Sequence, residues 1–161
     1  VAEVISNTSP VLYLHRIGKL DWLLELFSTV WIPEAVREEL REGRRRGYDV
    51  PNLDSLEWAQ IVAPQSVPSE WLALDLGAGE LAALALALEH PDRVVLLDDE
   101  LARHIGQAAG LTVWGTLKML LAAKDGGLTP KIAPHLTRLQ ESGMWISEDL
   151  RRRVLALAGE G

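Results

Sequence analysis

The sequence contains no cysteine. Disulfides, thiolate nucleophiles and thiolate-held zinc or iron–sulfur clusters are therefore excluded, and a reducing, cytoplasmic setting is expected. No apolar run reaches the length a bilayer requires. The longest, LAALALAL at Leu81 to Leu88, suits a buried helix and no membrane partner. No basic segment followed by an apolar one opens the chain, so no secretory signal is expected. The acceptor-like triplet Asn7-Thr8-Ser9 then carries no expectation of glycosylation. Positive charge is scarce too: 16 Lys and Arg stand against 23 Asp and Glu, a net charge of −7. That sign disfavours a module that binds nucleic acid through a broad basic face. It is compatible with an enzyme that gathers carboxylates around metal ions.

What is present is the composition of an ordinary globular chain, 161 residues with 48% hydrophobic and 24% charged side chains, long enough for one domain with a full core. We expect a single domain over 1–161, with helices from about 130 to 158 packing on it. Strands are expected at Glu3 to Ser6, at Thr29 to Ile32 (TVWI), at Val94 to Leu97 (VVLL) and in LTVWG, with EWAQIVAP a short strand or extended segment. Helices are expected from Pro10 to Ile17, from Asp21 (a candidate N-cap) to Phe27, and from Pro33 toward Gly43. Further helices are expected from Glu80 to Glu89, in ELARHIGQAAG with Gly110 as its C′ residue, and near Thr116 to Lys124, Pro134 to Ser142 and Ser147 to Ala158. The last has an apolar side at Leu150, Val154, Leu157 and Ala158. Strands alternating with helices predict a mostly parallel sheet covered on both faces, a three-layer α/β/α sandwich.

In such a sheet ligands collect outside the carboxyl ends of the strands. Asn7 leaves the first strand there, and Asp98 and Asp99 leave VVLL at the same edge. Glu80 opens a helix behind Gly77-Ala78-Gly79, and Glu39 lies on the helix after Pro33. Several carboxylates in one cleft repel one another by several kcal/mol per close pair at moderate dielectric, so cations would have to hold them together. Oxygen donors without cysteine select hard ions, Mg²⁺ or Mn²⁺, which typically serve phosphoryl chemistry. Each residue also has a purely structural reading. Asp98, Asp99 and Glu80 suit helix N-termini, Glu39 sits in a charged run with pairs such as Glu42 and Arg46, and Asn7 suits an Asx-turn.

The ordered strings ISNTSPVLYLHRIGKLDWLLELFSTVWIPEAVREEL, LGAGELAALALALE and VVLLDDELARHIGQAAGLTVWGTLKMLLAAKDGGL resemble the PIN-domain superfamily, particularly small prokaryotic proteins related to VapC toxins. The resemblance implies a parallel α/β/α sandwich and a Mg²⁺- or Mn²⁺-dependent ribonuclease. It places the first acidic position on Asn7, the second on Glu39 (with Glu38 the alternative register), the third on Glu80 and the last on Asp99 or Asp98. Ser9 matches the small hydroxyl residue near the first acid, and Gly115-Thr116 the "GT" after the later strand.

Asn7 is the departure. An amide oxygen can ligate a hard ion, but the site loses one negative charge, and activity should fall. A degenerate family member, a substitution that disarms a toxic nuclease, and a natural Asn offset by other acids all account for it. RNA contacts would come from Arg44, Arg45, Arg46 and Arg103, although arginines also suit helix C-termini. A toxin of this kind implies an antitoxin partner, and a homodimer is expected. An apolar groove for a partner helix is expected around Trp22, Trp145 and the leucines of the last helix. The rival reading is a PIN fold without catalysis that binds RNA or protein. A phosphoacceptor of the response-regulator kind is disfavoured, because no Asp follows a middle strand and no Lys is suitably placed beyond the later one.

Overall fold

The computed structural model describes residues 2–161. Strands β1 (Val4–Ser6), β2 (Val30–Pro33), β3 (Ala59–Val62), β4 (Val94–Leu96) and β5 (Thr112–Trp114) form one sheet, ordered β3-β2-β1-β4-β5 and parallel throughout. The helices are α1 (Thr8–Arg16), α2 (Trp22–Leu26), α3 (Glu34–Arg45), α4 (Ala78–Glu89), α5 (Glu100–Ala108), α6 (Thr116–Asp125), α7 (Ala133–Glu141) and α8 (Glu148–Leu157).

Successive strand side chains point to opposite faces, and the two faces bury two separate clusters. Val4, Val30, Ile32, Val94 and Leu96 meet Val11 and Leu14 of α1, Val36 and Leu40 of α3, Met119 and Leu120 of α6, and Leu136 and Leu139 of α7. Ile5, Val95 and Leu97 meet Ala83, Leu84, Leu86 and Ala87 of α4 and Ala102 of α5. The expected sandwich is thus present. Apart from Ser6 of β1, which is buried, its central strands are apolar because both faces are covered. The all-apolar LAALALAL stretch becomes α4, with Ala82 to Ala87 buried.

Several boundaries differ from the sequence expectation. α1 begins at Thr8 rather than Pro10, since a proline in the first turn sacrifices an N–H that has no partner there anyway. Pro33 closes β2 and precedes α3 instead of opening the helix. α4 starts at Ala78, two residues before Glu80. Asp21 is not an N-cap in the expected sense: its backbone is already helical and its side chain accepts no cap bond. Gly110 is the C′ residue foreseen, at φ +80°.

On the last helix Val154 is buried and Leu150, Leu155 and Ala158 pack against the core, but Leu157 points outward. The expected partner groove changes accordingly. Trp22 is 3% exposed and meets His135 edge to face inside the core, whereas Trp145 is 85% exposed. Near the C-terminus, Glu160 Oε2 accepts from Ile132 N at 2.8 Å and Lys124 Nζ at 3.0 Å, and its Oε1 from Ala133 N at 3.1 Å. One carboxylate thereby joins α6 to the start of α7.

Candidate functional site

The chain runs outward from β1 to β2 and β3, then returns to β4 and β5 on the other side. Connections diverge between β1 and β4, and the crevice at their carboxyl ends is where an open parallel sheet binds ligands. Asn7 follows β1 there. Its backbone N–H donates to Leu96 O at 3.1 Å, it is 3% exposed, and its Oδ1 is buried with no hydrogen-bond partner among the described residues. A buried carbonyl oxygen left unpaired costs roughly 1–3 kcal/mol. Burial also closes the Asn7 side chain to glycosylation.

Two glycines let the neighbouring acids approach. Glu39, on α3, accepts from Gly79 N at 2.7 Å through Oε1 and from Thr8 Oγ1 at 3.0 Å through Oε2. A Cβ on Gly79 would stand 2.5 Å from Glu39 Oε1 and 3.1 Å from Asn7 Oδ1, so only glycine admits both oxygens. Glu38 faces elsewhere, toward Arg41 at 2.9 Å and Arg37 at 3.6 Å. Glu80 accepts from Gly77 N at 2.9 Å. Burial pushes its carboxyl above the usual range; the Gly77 bond opposes this, and the charges of Asp99, Glu39 and Asp75 add to it.

The two adjacent aspartates divide their work. Asp98 accepts from Thr116 N and Thr116 Oγ1, both at 2.7 Å, and so caps α6 from the neighbouring strand end. Its pKa is raised by burial, against the two Thr116 bonds and the nearby Arg103 charge. A Cβ on Gly115 would collide with the Arg103 guanidinium and stand 3.1 Å from Asp98 Oδ1, which makes Gly115 the second close-approach position. Asp99 caps α5 through Ala102 N at 3.0 Å and is otherwise exposed toward Glu80.

All four acids therefore accept from backbone N–H groups at the N-cap or in the first turn of a helix, where both the orphan donors and the helix dipole favour negative charge. Glu80, Asp98 and Asp99 line one cleft of about 620 Å³, together with Ser9, Arg103 and Lys118. Arg44 and Arg45 lie instead at a separate depression beside Arg41 and Asp54, and Arg45 and Arg46 pair with Glu42. The donors suit a hard cation chemically: the unpaired Asn7 Oδ1, aimed at the gap that Gly79 leaves open beside Glu39, is an oxygen such an ion would take. Among the described residues, no three acidic or histidine side chains gather closely enough to form a complete ligand group.

Thr8 and Gly79 are the participants that sequence reasoning missed. The hydroxyl run after Asn7 and the Gly-x-Gly before Glu80 were the signals that could have found them. A family model for the PIN domain matches residues 3–160. The chain belongs to the PIN-domain family. Among solved structures it is similar to a PilT N-terminus domain protein from the hyperthermophilic archaeon Sulfolobus solfataricus P2. The TM-score is 0.52 at 16% identity, over 76% of this chain and 93% of the other, a likeness of fold. No curated protein matches the sequence. PIN domains generally use divalent metals and are associated with RNA binding. No helix among the described residues is long and apolar enough to cross a membrane.

Proposed function

We propose that this PIN domain is a divalent-metal-dependent endoribonuclease of the VapC toxin type, weakened by Asn7. The observation that carries the reading is the buried, unpartnered Asn7 Oδ1 at the end of β1, facing Glu39 across Gly79. An aspartate there would bring a second full charge to a position that now offers only a dipole. Asn7 and Glu39 would hold Mg²⁺ or Mn²⁺ from one side, Glu80 and Asp99 from the other. Asp98 serves as a positioning residue that fixes Thr116 and the start of α6. Bound there, the ion would activate water and neutralise charge on the phosphodiester. Burial raises the pKa of Glu80, and the neighbouring Asp99, Glu39 and Asp75 charges add to it, as in a site suited to a cation. Arg103, beside Asp98, is the cation best placed to meet the RNA backbone.

The reading takes residues 1–161 as one domain, acting in the cytoplasm as a homodimer held in check by an antitoxin protein. Exposed Leu72 and Leu74, in the segment leading to α4, and Leu157 on α8 are apolar surface that such partners would cover. A second reading, a non-catalytic PIN fold that binds RNA or protein, draws on a specific observation: every acid already has a structural bond at a helix N-terminus.

Cleavage of a mixed RNA pool with Mn²⁺ or Mg²⁺ decides between them. Three proteins are compared: the parent chain, Asn7→Asp, and Asn7→Asp with Glu80→Gln. Cleavage that rises in the single variant and disappears in the double supports the nuclease. Silence from all three, with no ion bound by calorimetry, leaves the binding module.

A further inference from the structure

Trp145 is the largest exposed apolar side chain of the described residues, at 85% exposure, yet it stands on a firmly held turn between α7 and α8. Met144 N bonds Leu139 O at 3.0 Å, Gln140 Nε2 donates to Ile146 O at 3.2 Å, and the Ile146 side chain is buried. The indole is therefore presented by a rigid support. It lines the same cleft of about 620 Å³ as Glu80, Asp98 and Asp99, a size typical of small-molecule sites, which run roughly 300–1,000 Å³. Arg103 and Lys118 line this cleft as well; the Arg103 guanidinium lies beside the Asp98 carboxylate without a side-chain hydrogen bond to it. Lys118 Nζ lies 5.4 Å from the centroid of the Trp114 ring, which leaves its hydrogen-bond donors unused.

An aromatic wall and two cationic side chains in one cleft match an anion with a flat apolar body. An apolar helix laid in the cleft would strip water from the carboxylates without replacing it, at considerable cost. A nucleotide would set its base on the ring and its phosphate on the cations. We propose that Trp145 is a stacking platform for one unpaired base of a single-stranded RNA, with Lys118 and Arg103 holding the adjoining phosphate. Trp145 thereby positions the strand against the acids. The inference rests on the ribonuclease reading of this cleft, but binding tests it without cleavage.

The experiment is fluorescence-anisotropy titration of a labelled octauridylate in EDTA with four full-length proteins: the parent chain, Trp145→Ala, Trp145→Phe and Lys118→Gln. Circular dichroism checks folding, which so exposed a side chain should not disturb. A base–aromatic stack predicts that Trp145→Ala weakens binding about 5- to 150-fold. Trp145→Phe should recover most of the affinity, and Lys118→Gln should lower the salt slope by about one phosphate contact. Equal affinity for the parent and Trp145→Ala overturns the platform and leaves the ribonuclease reading standing. No RNA binding by any of the four overturns the platform, and the RNA-cleavage comparison with Mn²⁺ or Mg²⁺ then decides the ribonuclease reading on its own. If light scattering shows that Trp145→Ala breaks a dimer while RNA affinity is unchanged, the ring belongs to a protein interface and the proposal is wrong.

Discussion

Gly79 offers the sharpest test of how the site is built. Glycine in a helix is destabilising relative to alanine, so Gly79→Ala would ordinarily stabilise by up to about 1 kcal/mol. Here the new Cβ would lie 2.5 Å from Glu39 Oε1 and 3.1 Å from both Glu39 Cδ and Asn7 Oδ1. Glu39 is the end of a flexible, exposed side chain and can move away. In moving it forfeits the 2.7 Å charge-assisted bond from Gly79 N, worth about 1.5–3 kcal/mol. The expected net result is a loss of roughly 0.5–2 kcal/mol by urea unfolding, against the usual sign. A double-mutant cycle isolates the cause: in a Glu39→Ala background the bond is already gone, and Gly79→Ala should cost much less or stabilise. Gly43→Ala is the control. It sits in α3 with Val50 Cγ1 at 3.4 Å as its nearest neighbour, and should gain up to about 1 kcal/mol. If Gly79→Ala stabilises as much as Gly43→Ala and the cycle shows no coupling, the cradle described here does not hold Glu39.

Asn7→Asp places a buried charge beside Glu39, and should lower stability by about 1–3 kcal/mol at pH 7 without divalent ions. Mn²⁺ should then raise its melting temperature far more than that of the parent, and equal Mn²⁺ shifts in the two would refute the placement. Thr116→Val removes the 2.7 Å hydroxyl bond to Asp98 and should cost about 1.5–3 kcal/mol. Burial already raises the pKa of Asp98, so the variant should raise it further and lose more stability at alkaline than at acid pH; a pH-independent loss would contradict this. Burial pushes Glu160 up, but the N–H groups of Ile132 and Ala133 and the Lys124 ammonium hold its pKa below the ordinary value. Its contribution is present above the unfolded carboxyl pKa, about 4.3, and disappears as pH falls through the depressed value. Acid unfolding of Glu160→Gln should show a shallower stability decline across that window, and superimposable slopes would argue against the clasp.

The layers were legible because VIS, VWI and VVL are apolar at every position but Ser6, the pattern of a strand covered on both faces. The edge strand β3 was harder to read: its positions are only half-buried, so AQIV lacks that signature. Helix starts were misplaced where Pro10 and the Gly-x-Gly before Glu80 punctuate the first turn instead of preceding it. The strand-end position of Asn7 could be read directly. The distinct jobs of Asp98 and Asp99 could not, because either fits a helix cap in sequence, and only the approach of β5's end to β4's end shows that Asp98 caps α6. The bond from Gly79 to Glu39 joins residues 40 positions apart and has no local signal. Trp22 and Trp145 look alike in sequence, since both are flanked by polar residues within a few positions; their burial was decided by α7, whose His135 covers one and not the other.

The four carboxylates of the acidic edge serve as helix caps whether or not an ion is present, so the architecture does not depend on the cation. A centre built this way differs from a zinc finger, where removing the metal unfolds the chain. Under the proposed function, one residue would dim the chemistry while the scaffold stays intact. An asparagine at position 7 is then a change the protein survives, and chelation should switch off the chemistry proposed here without melting the domain.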